Sequence, residues 1–272
     1  MTAHREFDSA YLDWTRRGMW ADSTGALEPL GIERRDRILD VGSGTGHLTG
    51  VLESKAPDGA LIMAADVDRQ LLEDVNPAPG PAVQAAAKRL PFDSNTVDLV
   101  TCQALLVNLA DPIDALEEFS RVASGAVAAI EPDNTAVSRT SSVAGEATID
   151  RSLRQHFVAG SETEVAPGPK TLRTYFERAG LGELEHRRYH HETSVEPPYG
   201  DPVLTDAKRR VTAEELERHR PVLLNGPLTP SEFDDLKAQW QAIGREMATQ
   251  VQRGTYRREE VVPFDVIVGR VG

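Results

Sequence analysis

The chain is short of cysteine, lysine and long apolar runs, and each shortage removes a class of answer. Cys102 stands alone among 272 residues, which excludes an intramolecular disulfide and a multi-cysteine metal site. No metal is expected, and a reducing, cytoplasmic setting fits. Lys55, Lys88, Lys170, Lys208 and Lys237 are the only lysines; arginine supplies the rest of the 30 basic residues, against 43 acidic ones. The formal charge of −13 argues against a nucleic-acid partner. Excess carboxylate with scarce lysine suits a halophilic protein, because salt screens the self-repulsion that such charge creates. No segment approaches the ~20 apolar residues of a membrane span; the uncharged stretch Leu99 to Ala110 is too short and contains Gln103 and Asn108. Met1 to Ala10 carries His4, Arg5, Glu6 and Asp8 and reads as no secretory signal.

What is present is enough apolar residue, 40% of the chain, for a sizeable core. Short apolar runs alternate with helical spacing between Arg37 and Pro132, the pattern of βαβ units. Strands are predicted at Arg37 to Val41, Ala60 to Ala65, Ala82 to Ala86, Val97 to Gln103 and Ala126 to Glu131. Two later ones, at Glu183 to Tyr189 and Val261 to Gly269, would complete a sheet of seven, with the late pair antiparallel. A helix after the fourth strand is capped by Asp111, opens on Pro112, buries Ile113, Leu116 and Phe119, and pairs Glu117 with Arg121 outside. Another helix, Thr171 to Ala179, is stopped by Gly180. Thr229-Pro230-Ser231-Glu232 is a capping box opening a helix whose stripe Phe233, Leu236, Trp240, Ile243, Met247, Val251 is expected to pack on the sheet domain. The whole chain, 1–272, is read as one domain: an N-terminal helical segment at 1–32 with Tyr11, Trp14 and Trp20, a core at 33–133, and cap segments at 134–168 and 197–260.

The chemistry concentrates in Ile38-Leu39-Asp40-Val41-Gly42-Ser43-Gly44-Thr45-Gly46, an apolar strand ending in an acid and then alternating glycines into a helix. Glycine allows a tight turn and lets a ligand approach where a Cβ would obstruct it. A dinucleotide-binding G-x-G-x-x-G would need glycine where His47 stands. Asp66 closes the second strand, and its two oxygens can accept from two hydroxyls.

On these residues the sequence resembles the class I S-adenosylmethionine-dependent methyltransferases, in particular the small-molecule branch with the ubiquinone and menaquinone methyltransferases. The resemblance is close over Arg37 to Asp133. It implies an α/β, Rossmann-like, seven-stranded and mostly parallel sheet with helices on both faces and a largely helical cap. It implies S-adenosylmethionine as cofactor, with Asp40, Gly42, Gly44 and Gly46 forming the first motif and Asp66 on the ribose hydroxyls. Val67 would lie against the adenine, the Ala87 amide would meet its edge, and Gln103 and Leu105 would line the methionine end. The family commonly carries an aspartate just before that alanine; Ala86 stands there instead, so adenine recognition needs another group.

The resemblance points to methyl transfer onto a small, partly apolar or lipid-like acceptor. The fourth strand ends Gln103-Ala104-Leu105-Leu106 rather than in the Asn/Asp-Pro-Pro-Tyr of amino-directed relatives, and Glu196-Pro197-Pro198-Tyr199 lies in the wrong place and reads as a turn. Tyr11 could close over the cofactor. His156, His190 and His191 are candidate bases, but no catalytic residue is assigned. Two other readings stand beside this one: an NAD-dependent oxidoreductase, against which His47 speaks, and a catalytically silent S-adenosylmethionine-binding module.

Overall fold

The computed structural model describes residue 16 and residues 18–74, 80–161 and 167–272. Tyr11 and Trp14 lie outside the described residues. The chain divides into two compact units, Met1–Pro132 with Pro167–Tyr189 and Phe264–Gly272, and Asp133–Ala166 with His190–Pro263.

The first unit is built on β1 (Arg37–Val41), β2 (Leu61–Asp66), β3 (Ala82–Gln84), β4 (Val97–Gln103) and β5 (Ala123–Pro132), in the order β3-β2-β1-β4-β5, all parallel. The continuous apolarity of Ala126-Val127-Ala128-Ala129-Ile130 in β5 is what a strand covered on both faces requires. Beside β5 runs β8 (Arg258–Arg270), antiparallel, with β7 (Gly182–Val195) on it in turn. Around these lie α1 (His47–Lys55), α2 (Arg69–Asp74), α3 (Pro112–Val122) and α5 (Pro169–Arg178). Leu116, Phe119, Leu172 and Phe176 enter the same core as Leu39, Val100 and Val127. The end of α5 is a Schellman motif: Gly180, at φ +78°, donates to Glu177 O, and Leu181 donates to Phe176 O.

Register decides what this sheet presents. Val41 lies beside both Ala65 and Cys102, Asp66 beside Gln84, and Gln103 beside Ile130. Gly42, just past the end of β1, and Asp66 and Gln103, the last residues of β2 and β4, therefore stand in one row along the C-terminal edge of the parallel strands. That edge is where open α/β sheets bind ligands.

The second unit contains α4 (Glu146–Gly160), α6 (Asp201–Thr212), α7 (Glu214–Arg218), α8 (Arg220–Asn225) and α9 (Pro230–Gln252), with β6 (Ser138–Ser141) paired to Arg258–Val261 of β8. Its core joins Val143, Ile149, Leu153, Val203 and Leu223 to Phe233, Ile243, Met247 and Val251. Buried Arg210 and Arg258 pair there with Glu146, Asp150 and Asp206.

Several local expectations need correction. Among the described residues the sheet has eight strands, because the polar segment Ser138–Ser141 pairs through its backbone and needs no apolar side chains. The stripe of α9 fills the second unit's own helical core instead of covering the sheet domain. Asp111 stands at the N-cap of α3 without a side-chain cap bond, since its carboxylate takes Lys88 Nζ at 2.6 Å. Arg121 pairs with Glu118, at 2.7 and 2.8 Å, because Glu118 also accepts the Leu90 N–H at 2.7 Å and is thereby aimed inward.

Candidate functional site

The turn after β1 shows why its residues must be glycine. Gly42, Gly44 and Gly46 all adopt left-handed backbone, at φ +70°, +54° and +81°. Gly42 N–H and Ser43 N–H both donate to Ala65 O, at 2.7 and 3.1 Å, which lashes the turn to the end of β2. Gly44 N–H then donates to Asp66 Oδ2 at 2.9 Å, while Asp66 Oδ1 accepts from Asp68 N–H at 2.9 Å. Each carboxylate oxygen has used one acceptor position and retains another.

Asp40, fully buried, stands behind the turn. Thr49 Oγ1, on α1, donates to its Oδ2 at 2.7 Å. Burial pushes the Asp40 carboxyl up to about 7; the Thr49 bond pulls it back and the Asp66 charge adds to the rise. Among the described residues, Asp40 Oδ1 and Ser43 Oγ are buried and unpartnered.

The remaining expected residues gather around this turn. Val67 is 42% exposed, one of the few large apolar side chains left open. Ala85 N–H donates to Asp66 O at 2.9 Å and Gln84 Nε2 to Val67 O at 3.0 Å, so the chain leading to half-buried Ala87 is tied to the end of β2. Ala86 is exposed, and its carbonyl accepts the Arg89 N–H. On the other side Leu105 packs against Gly42, where an added Cβ would lie 2.9 Å from Leu105 Cδ1. Gln103 Oε1 accepts from Trp20 Nε1 at 3.2 Å, and Trp20 stacks on Tyr189 at 4.3 Å between centroids.

Residues 39–129 match the family described as a methyltransferase domain. The demethylmenaquinone methyltransferase of Mycobacterium sp. (strain KMS) is 39% identical over 103 residues, covering 38% of this chain and 43% of that protein. A ubiquinone/menaquinone biosynthesis C-methyltransferase of Idiomarina loihiensis is 30% identical over 109 residues, 35% of this chain and 41% of that protein. The matched region thus spans under half the length of these curated relatives. Residues 39–129 of this chain are thus similar to a methyltransferase domain. A solved Bacillus halodurans protein named as a methyltransferase shares its fold at TM-score 0.51 and 14% identity, over 90% of this chain and 96% of that one. A phosphoethanolamine N-methyltransferase of Haemonchus contortus does so at 0.50 and 13%, over 96% and 58%.

The matched region has features that suit a bound ligand. A turn without Cβ atoms offers close approach, Asp66 retains acceptor capacity, Val67 offers an open apolar surface, and Ser43 Oγ and Asp40 Oδ1 are polar atoms in want of a partner. Trp20 stands in the sequence only as one of three N-terminal aromatics, and Thr49, Glu118 and Glu131 shape this region without having been singled out there. Only Glu131 left a trace there: it is an acid ending an apolar strand, as Asp40 and Asp66 are. Among the described residues no helix is long and apolar enough to cross a membrane, and no group of three or more metal-ligating side chains occurs.

Proposed function

We propose that the protein transfers a methyl group from S-adenosylmethionine to a small, partly apolar acceptor. The observation that carries the reading is the hydrogen bond from Gly44 N–H to the Asp66 carboxylate at 2.9 Å, which makes the glycine turn and the acid of the second strand one cradle. Asp40, Gly42, Gly44 and Gly46 would hold the cofactor at that turn, and Asp66 would accept from the ribose hydroxyls. Val67 would cover the adenine, with the Ala87 amide at its edge. Gln103 and Leu105 would meet the methionine end.

The sulfonium supplies an activated methyl, and its departing thioether needs no proton. What this chain contributes is alignment, worth roughly 7–11 kcal/mol of barrier when two reactants are held in line. No residue is assigned as a base; His156 lies on α4, His190 and His191 lie on β7, and His191 is buried. The relatives are named for demethylmenaquinone and for ubiquinone/menaquinone biosynthesis, which favours a quinone-like acceptor.

Calorimetry with S-adenosylhomocysteine tests the reading, followed by mass spectrometry of cell extract given enzyme and labelled methyl donor. Asp66→Ala is expected to weaken binding by about 1.5–3 kcal/mol, the scale of hydrogen bonds to a charged group, with an unchanged circular dichroism spectrum. Undiminished affinity would remove Asp66 from the site. Tight NAD binding without S-adenosylhomocysteine binding would replace the reading with an oxidoreductase.

A further inference from the structure

We infer that Glu131 is a positioning residue for this cradle: its buried carboxylate holds the backbone after β4 so that Leu105 braces the glycine turn. The inference rests on the cofactor reading above.

The strand Ala126 to Ile130 is wholly apolar and buried, and the next residue is a glutamate with no exposure at all. Its environment explains how it is tolerated. Oε1 accepts from Leu105 N–H at 3.0 Å and Leu106 N–H at 2.9 Å, and Oε2 accepts from Val107 N–H at 3.2 Å. These are three successive amides at the start of a 3-10 turn, Leu106–Asn108, which has no other side-chain cap. The chain enters that turn through Ala104, held at φ +50° with its N–H on Ile130 O at 2.8 Å. Alanine at positive φ is unfavourable by itself, so the conformation is imposed by partners, and Glu131 supplies three of them. A carboxylate suits the task because it accepts at both oxygens and brings no donor to oppose the amides.

The consequence lies at Leu105. Its Cδ1 would be 2.9 Å, and its Cγ and Cδ2 3.2 Å, from a Cβ on Gly42, so the leucine rests directly on the turn. Gln103, bonded to Trp20, leaves β4 two residues earlier. A bond set on β5 therefore fixes both the side of the turn facing β4 and the residue expected at the methionine end.

The charged surroundings of Glu131 are accounted for on each side. Cys102 Sγ, on β4, is 3.9 Å from Oε1; burial pushes the Glu131 carboxyl up, while the bonds from the three amides and, less, the Arg16 charge pull it back. Asp265, its register partner on β8, is also fully buried. Facing like charges on paired strands repel. Asp265 is balanced separately by Arg188, at 3.0 and 2.9 Å, and by His186 at 2.8 Å.

The test compares two ligands by calorimetry on the full chain: S-adenosylhomocysteine, and 5′-methylthioadenosine, which lacks the amino-acid end. Glu131→Gln presents an amide donor to the three N–H groups. It is expected to lose about tenfold or more in S-adenosylhomocysteine affinity, the scale of a lost charge-assisted bond, with methylthioadenosine affinity nearly unchanged. Leu105→Ala leaves the Glu131 bonds in place and should show the same selective loss, so the idea stays testable if Glu131→Gln folds poorly. An equal loss for both ligands in either variant, or no loss, overturns the positioning role. A wild-type protein that binds neither ligand overturns the cradle itself, and with it the role built on it.

Discussion

Single residues in the turn after β1 carry two separable burdens, backbone conformation and contact. Gly42 bears both, at φ +70° with Leu105 against the place a Cβ would occupy. Gly59, at φ +85° with nothing within 4 Å of that place, bears only the first. Gly59→Ala should therefore cost about 1–2 kcal/mol of stability from the left-handed backbone alone and leave ligand affinity intact. Gly42→Ala should cost as much or more and, by displacing Leu105, also weaken S-adenosylhomocysteine binding. Urea denaturation and calorimetry on the two variants separate the effects. A Gly42→Ala protein that binds like wild type would show that Leu105 does not set the turn.

At the scale of elements, the motifs that are complete within a few residues are the ones readable from sequence. The capping box of α9 is one: Thr229 Oγ1 accepts from Glu232 N–H at 3.3 Å, and Glu232 Oε2 accepts from Thr229 N–H at 2.9 Å. Thr229→Ala is expected to lower stability in urea by about 1 kcal/mol, and a loss under a few tenths would show that the cap does not matter to this helix. The bounds of β1 and β4 agree with the apolar runs, and Gly180 stops α5 as its position implies. Elements whose partners are distant in sequence read less well. Ser138–Ser141 is polar, and only the presence of Arg258–Val261 beside it makes it a strand. Spacing showed which face of α9 is apolar, not which core receives it. Glu117 and Glu118 are equally placed to meet Arg121 until the amide of Leu90 selects between them. The site divides the same way: the glycine turn and Asp66 are visible as local pattern, whereas Trp20 and Glu131 matter only through contacts that folding creates.

Across the whole molecule, placing acids at the ends of buried strands makes stability depend on pH. Burial pushes both Asp40 and Glu131 up to about 7, against the bonds from Thr49 in one case and the three amides in the other. In the unfolded chain these groups return to the ordinary carboxylate range, ~4. Between ~4 and 7 the folded form therefore binds more protons than the unfolded form, so their contribution to stability is full at low pH and is lost as pH rises through about 7. From pH 8 to about 5.5, each should stabilise the fold by about 2 kcal/mol, opposing the usual acid weakening from paired surface carboxylates. Asp40→Asn isolates one of the two, since the amide oxygen can still accept from Thr49 while the titration is gone. The wild-type gain in unfolding free energy between pH 8 and 5.5, followed by circular dichroism in urea, should exceed that of Asp40→Asn by about 2 kcal/mol. Parallel pH profiles for the two proteins would mean that Asp40 is ionised throughout, with a donor at its Oδ1 beyond those among the described residues.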